Sequence, residues 1–217
     1  METQPPETSA TEAVERILAA AERLFGERGF NGVSTRLIAD AAGVSKANVF
    51  HHFTSKLALY EAVLSRGAER FKALLLQLTT DDRPLPELLE DFSLQHLQNM
   101  FEHAGTFSLF LRQLLDTGAG AERTLIENVL EQSFDLLVDS FATLKAQGRL
   151  ADGIEPRTLA LTLVGSHLSF FLLRSMLAQR GELDDLEDSV DTFSRQVVDQ
   201  LIGGIAPAAS ASRNHEK

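Results

Sequence analysis

The stretch that most limits what this chain can become is residues 33–56, VSTRLIADAAGVSKANVFHHFTSK. It reads as two short helices joined at Ala42-Gly43-Val44, where Gly43 can adopt the positive φ of a sharp reversal. Ser34 and Ser45 stand where each helix begins, placed to accept a hydrogen bond from an otherwise unpartnered backbone N–H. Val33 with Ile38, and Val44 with Val49, have the spacing of a hydrophobic staple across those two starts. Leu37, Ile38 and Ala41 supply the expected inner face of the first helix, and Val49 and Phe53 that of the second. The pattern is a helix-turn-helix, whose second helix suits the major groove of DNA.

Helical spacing of about 100° per residue, with Val49 as the buried reference, puts Ala47 and His51 outward, flanked by Asn48 and Phe50. Lys46 lies in the first turn. Asn matches the paired donor and acceptor of adenine, Lys the two acceptors of guanine or a phosphate, and Ala a thymine methyl.

Gly29-Phe30, Ser34-x-x-x-Ile38-Ala39, Ala42-Gly43-Val44-Ser45 and Phe50-x-His52-Phe53-x-Ser55-Lys56-x-x-Leu59 together resemble the DNA-binding domain of TetR-family transcriptional regulators. The likeness runs from about Ala13 to Leu64 and includes a flanking helix on either side of the motif. One position departs: the family usually has Tyr where this chain has Phe50, so a hydroxyl that commonly meets a phosphate is missing. The resemblance implies that Lys46, Ala47, Asn48 and His51 face bases. It implies that Ser34, Arg36, Ser45, Phe50, His52 and Lys56 hold phosphate and sugar, with Thr35 able to do either.

Net charge of −11 looks adverse for a DNA binder until it is divided along the chain. Residues 1–86 hold ten Lys+Arg against eleven Asp+Glu, whereas residues 87–205 hold eight against nineteen. Screening confines phosphate attraction to within about 8 Å at physiological salt, so a distant acidic region weakens non-specific affinity without forbidding a specific complex.

Along the chain, residues 1–10 are polar with a Pro pair and read as a disordered arm. Residues 11–56 form the expected DNA-binding domain, 57–80 a connecting helix, 81–205 a helical effector-binding and dimerisation domain, and 206–217 a flexible tail. Expected helices run over 11–28, from Ser55 to about Thr80, and over 87–103, 106–115, 119–147, 157–180 and 184–202, which makes the fold all-α. The chain has no cysteine, no signal-peptide pattern and no uninterrupted apolar span of membrane length, the profile of a soluble cytoplasmic protein. The apolar run at 158–173 is interrupted by Gly165, Ser166 and His167 and reads as a buried helix.

Two further sets of residues follow from the C-terminal pattern. The last two helices form an antiparallel hairpin, and the all-round apolar one needs a second partner, most simply a symmetric copy. Leu168, Leu172, Met176, Val190, Phe193, Val197 and Leu201 are the expected homodimer residues, and TetR-like proteins dimerise through their last two helices. Fourteen Phe accompany one Tyr and no Trp. Phe92, His96, Met100, Phe107, Phe110, Arg112, Phe134, Phe141, His167, Phe170 and Phe171 are the candidate lining of a pocket for an apolar or amphipathic small-molecule effector. For any one of them an ordinary helical core is the better account; the resemblance favours a pocket for the group.

Nothing points to catalysis. His96 and His103 stand seven apart without further ligands, and the 117–121 glycines lack the Lys-Ser/Thr of a phosphate loop. Neither a metal nor a cofactor is expected. The sequence implies an operator-binding homodimeric repressor released by its effector. A ligand-requiring regulator or activator of the same family remains open, as does a helical carrier or enzyme.

Overall fold

A computed structural model describes residues 7–115, 120–181 and 185–205, with side chains described at 11–112, 120–181 and 185–203. These residues form helices and their connecting turns, without strands: α1 Glu7–Arg28, α2 Thr35–Ala42, α3 Lys46–His52, α4 Lys56–Thr80, α5 Leu85–Glu102, α6 Ala104–Leu115, α7 Ala121–Ala146, α8 Pro156–Gln179 and α9 Leu186–Ile205. The all-α expectation holds.

Helix ends differ from expectation where the chain has no true stop. α1 starts at Glu7 rather than Thr11, because residues 7–10 contain neither Pro nor Gly and add a turn; residues 1–6 of the expected arm lie outside the described residues. So do the whole tail 206–217 and most of the 117–121 connection. α5 takes Pro86 into its first turn, where a missing N–H costs nothing. α8 opens on Pro156 behind Glu155, whose carboxylate accepts from the Thr158 N–H at 2.7 Å. That contact holds the Glu155 carboxyl below the usual carboxylate range.

The described chain divides into two compact units, Met1–Arg70 with Glu102–Gln132, and Phe71–Phe101 with Ser133–Lys217. By this division α6 and the first half of α7 group with the helix-turn-helix, whereas the sequence grouped them with the helices from residue 81 onward. The first unit buries Ile17, Ala21, Leu24 and Phe25 of α1, Ile38, Val49, and Leu59, Tyr60 and Leu64 of α4, together with Leu109 of α6 and Ile126 of α7. Tyr60 meets Phe25 and Phe30 edge-on, each at 5.0 Å between centroids.

The seating of α6 on α1 rests on glycine. An added Cβ on Gly26 would fall 2.5 Å from the Gly105 Cα, so the two backbones touch where neither residue has a side chain. Around that contact, Thr106 Oγ1 donates to Glu22 Oε1 at 2.9 Å and His103 Nδ1 lies 3.1 Å from the same oxygen.

The second unit buries Leu74, Leu75 and Leu78 of α4, Leu88, Leu89 and Phe92 of α5, Leu137, Phe141 and Leu144 of α7, Leu159, Ala160 and Leu163 of α8, and Val198 of α9. α8 is long and apolar enough by length and composition to cross a membrane. Its residues Leu159, Ala160 and Leu163 instead line this core, and His167 and Phe170 are buried as well.

Candidate nucleic-acid interface and its companion core

Local chemistry alone builds the helix-turn-helix. Ser34 Oγ accepts from the Leu37 N–H at 3.1 Å and Ser45 Oγ from the Asn48 N–H at 3.0 Å, so both short helices carry the expected caps. Gly43 takes φ 66°, while the Val44 N–H returns to Ala39 O at 3.0 Å and the Gly43 N–H to Asp40 O at 3.3 Å, closing α2 as the positive φ allows. Val33, Ile38 and Val49 are buried and Val44 packs beside them, as the staples require. One face is corrected: Ala39 and Ala42 are buried and Ala41 is exposed, because the inward stripe of α2 runs through Ile38, Ala39 and Ala42.

With Val49 inward, Lys46, Ala47, Phe50 and His51 are exposed on the outer side of α3, and Lys46 Nζ stands 5.6 Å from the Phe50 ring centre. Ser34, Arg36 and Ser45 are exposed as well; Thr35, Asn48 and His52 are half-buried, and His52 meets His51 edge-on at 4.9 Å. Asn48 Oδ1 is buried and finds no hydrogen-bond partner among the described residues. Sequence reasoning missed Arg16, an exposed α1 residue with a guanidinium nitrogen 3.7 Å from where a Cβ on Gly43 would sit. It brings a cation to the turn, from twenty-seven residues away in sequence, where no motif signals it.

Lys56 also braces the head. Its ammonium donates to Phe30 O at 2.9 Å and Val33 O at 3.0 Å and sits 4.1 Å from the Phe30 ring centre, pinning the start of α4 to the α1–α2 loop. Two of the three ammonium N–H groups are thus engaged inside the head, which leaves one for a phosphate. Ser55 caps α4 by accepting from the Ala58 N–H at 3.0 Å. Lys56→Met is expected to lower stability by roughly 1–3 kcal/mol, since two carbonyls lose a charged donor. Urea unfolding measures this; an unchanged midpoint with weakened DNA binding would return Lys56 to the phosphate.

In the second unit, polar groups sit inside an aromatic shell. Ser93 Oγ lies 2.7 Å from His167 Nε2, and His167 Nδ1 lies 2.9 Å from His96 Nδ1. Phe92 stacks on His96 at 5.6 Å and Phe71 approaches the same ring at 5.1 Å. Burial pushes His96 down to about 4 and His167 well below its ordinary value, the latter also through the neighbouring His96, so both rings are neutral. Either Ser93 donates to His167 and His167 to His96, or each bond runs the other way.

Against known proteins, the family model for bacterial regulatory proteins of the tetR family matches residues 17–63, from the middle of α1 into α4. Over a longer span, the chain is 34% identical across 201 residues to the HTH-type transcriptional regulator RutR of Escherichia coli strain K12, covering 88% of this chain and 89% of RutR. The chain belongs to the TetR family. It is a DNA-binding transcriptional regulator and not an enzyme. The HTH-type transcriptional repressor BepR of Brucella suis biovar 1 (strain 1330) is 28% identical over 172 residues, 75% of this chain and 82% of BepR. The crystal structure of AibR in complex with isovaleryl coenzyme A and operator DNA superposes with a TM-score of 0.58 at 22% identity, covering 88% of this chain and 96% of AibR, and shares the fold.

Within this TetR-family fold, the expected pocket residues are divided between the two units, and the expected dimer residues range from buried to exposed. Phe107, Phe110 and Arg112 fall in the first unit: Phe110 packs against the head's core, and Arg112 Nη2 donates to Gly26 O at 3.4 Å and Glu27 O at 3.3 Å, capping the end of α1. Phe92, His96, Met100, Phe134, Phe141, His167, Phe170 and Phe171 belong to the second unit. Phe134 is half-buried beneath the Arg157 guanidinium at 5.6 Å, and Phe141 is fully buried in the core. Val190 is buried within its own protomer, and Val197 and Leu201 pack on the same core, because α9 folds its apolar stripe back onto the unit it belongs to. Phe193 stacks on Phe170 at 4.3 Å and Leu168 is half-buried. Leu172 and Met176 remain exposed, joined by Leu161, Leu173 and Leu186, which the dimer set omitted.

Proposed function

We propose that this TetR-family chain is a homodimeric repressor that leaves a palindromic operator when a small, largely apolar effector binds the second unit. The outer face of α3 carries the reading: a basic, a small and an imidazole side chain are presented together by a helix whose opposite side is anchored through Val49. Lys46, Ala47, Asn48 and His51 face bases, and Ser34, Thr35, Arg36, Ser45, Phe50 and His52 lie toward the backbone. The absent Phe50 hydroxyl leaves an apolar ring against the sugar.

A second copy is the occupant that best suits the exposed apolar strip of Leu161, Leu172, Leu173 and Met176 on α8 with Leu186 on α9. Two heads on one axis read two half-sites, which makes the operator palindromic. Repression agrees with what BepR is named for, and effector control with the ligand and operator held by AibR. Release requires the effector to prefer the geometry in which the heads no longer fit both half-sites.

Selection of random duplex DNA on the purified protein, at moderate salt without ligand, is expected to enrich a palindrome. Enrichment only after a cell extract is added would replace release by ligand-dependent binding, and no enrichment in either case would overturn the DNA-reading assignment. Lys46→Glu is expected to abolish operator binding in gel shifts while helicity and dimer size stay unchanged, because a like charge then meets the phosphates. Site-specific binding retained by this variant would remove α3 from the interface.

A further inference from the structure

The second unit contains two kinds of buried polar group, and the difference between them points to a ligand. Ser93, His167 and His96 answer one another along a chain of hydrogen bonds. Ser194 and Arg174 do not: Ser194 is 1% exposed with Oγ unpartnered among the described residues, and Arg174 Nε is buried and equally unpartnered. A buried donor without an acceptor is costly, and a native protein meets that cost with a water, an ion or a ligand.

Both groups lie close in sequence to one aromatic set. Phe170 stacks on Phe193 at 4.3 Å, and Phe101 meets Phe170 at 6.1 Å and Phe171 at 5.1 Å. The Phe170–Phe193 stack, with Leu159 and Leu163 sharing a core with Val198 and Leu201, makes α8 and α9 antiparallel. Helix side chains lean toward the N-terminus, so Arg174 leans over the turn holding Phe170 and Phe171, and Ser194 leans from the opposite strand of the hairpin toward the same level. The hairpin thus carries a guanidinium nitrogen and a hydroxyl, each buried and unpartnered among the described residues, within four residues in sequence of the Phe170–Phe193 stack.

We propose that this edge reads the head group of the effector, and that the effector is an amphipathic carboxylate: its apolar body against Phe101, Phe170, Phe171 and Phe193, its carboxylate on Arg174 and Ser194. The inference rests on the effector-release reading above and names the ligand class. A guanidinium presents N–H groups in the plane and spacing of a carboxylate, and an anion supplies its countercharge. The neutral imidazoles of His96 and His167 offer no such charge.

The test titrates the full-length protein with octanoate, decanoate and dodecanoate and with the matching primary alcohols, following melting temperature and release of the selected operator. The carboxylates are expected to raise the melting temperature at concentrations at least tenfold lower than the alcohols. Arg174→Gln is expected to erase that preference. Ser194→Ala is expected to weaken carboxylate binding while leaving the ligand-free melting temperature equal or higher, since the lost hydroxyl had no partner; a structural serine would lower it. Equal binding of both series, binding by carboxylates that Arg174→Gln leaves unchanged, or no carboxylate binding at all would overturn the proposal. Loss of the dimer in Arg174→Gln with ligand binding intact would also overturn it, by assigning the cation to a second copy. Operator release by the alcohols or by cell extract alone would overturn the carboxylate yet leave effector release standing, whereas release by none of these would remove both.

Discussion

Gly26→Ala is expected to destabilise the first unit by roughly 1–3 kcal/mol, although alanine is the better helix former. Two effects compete. Within α1, exchanging glycine for alanine gains about 1 kcal/mol of helix propensity. Against it, the new Cβ would stand 2.5 Å from Gly105 Cα and 2.7 Å from Gly105 O, a separation that backbone atoms cannot absorb by a rotamer change. α6 must then move off α1, and its movement stretches the Thr106 and His103 contacts with Glu22 and the Arg112 cap on Gly26 and Glu27. The overlap and the loosened polar contacts outweigh the propensity gain. Equilibrium urea unfolding checks the sign, with circular dichroism to show that helix content is kept. A midpoint at or above that of the unsubstituted protein would mean that α1 and α6 do not meet at these glycines.

Acid is expected to weaken the second unit before the carboxylates titrate. His96 is held near 4 in the folded protein against about 6.5 when exposed, because burial disfavours the imidazolium. Above pH 6.5 the ring is neutral whether the chain is folded or not, and its contribution is intact. Between 6.5 and about 4 the unfolded chain takes up a proton that the folded one refuses, so stability falls as pH falls, by on the order of 3 kcal/mol for His96 alone. His167, held lower still by burial and by His96, extends the loss in the same direction. Geometry adds to this: with the two Nδ1 atoms 2.9 Å apart, a second proton would set N–H against N–H. Urea midpoints from pH 7.5 to 5 measure the slope, and His96→Gln is expected to flatten it. An equal slope in that variant would place the acid sensitivity outside the histidine pair.

Much of the reading head was legible because its determinants are local. Ser34, Gly43 and Ser45 act within four residues of themselves, and the Val33–Ile38 and Val44–Val49 pairs lie within a turn and a half, so caps, turn and helix order follow from the chain read in sequence. Even there, an error of one helical step exposed Ala41 and buried Ala39 and Ala42, since a helix of eight residues shows too little periodicity to fix its face. Periodicity likewise located the long helices but not their ends, where Glu7, Leu85 and Pro156 extend each by the few residues that no breaker excludes.

What covers an apolar face was decided only in three dimensions. The stripe through Val190, Val197 and Leu201 is the same whether it meets a second copy or its own core, and the fold turns it inward while leaving Leu161, Leu172, Leu173 and Met176 outside. Gly26 and Gly105 lie seventy-nine residues apart, and their contact draws α6 to the head and takes Phe107, Phe110 and Arg112 with it. Lys56 looks basic and available in sequence, yet two carbonyls twenty-six and twenty-three residues earlier claim its ammonium. The sequence by itself determined the helices, the turn and the chemistry offered on α3, because backbone capping and helical period are short-range. The tertiary structure decided which groups meet, because a charge or an apolar stripe specifies the kind of partner it needs and not which one reaches it.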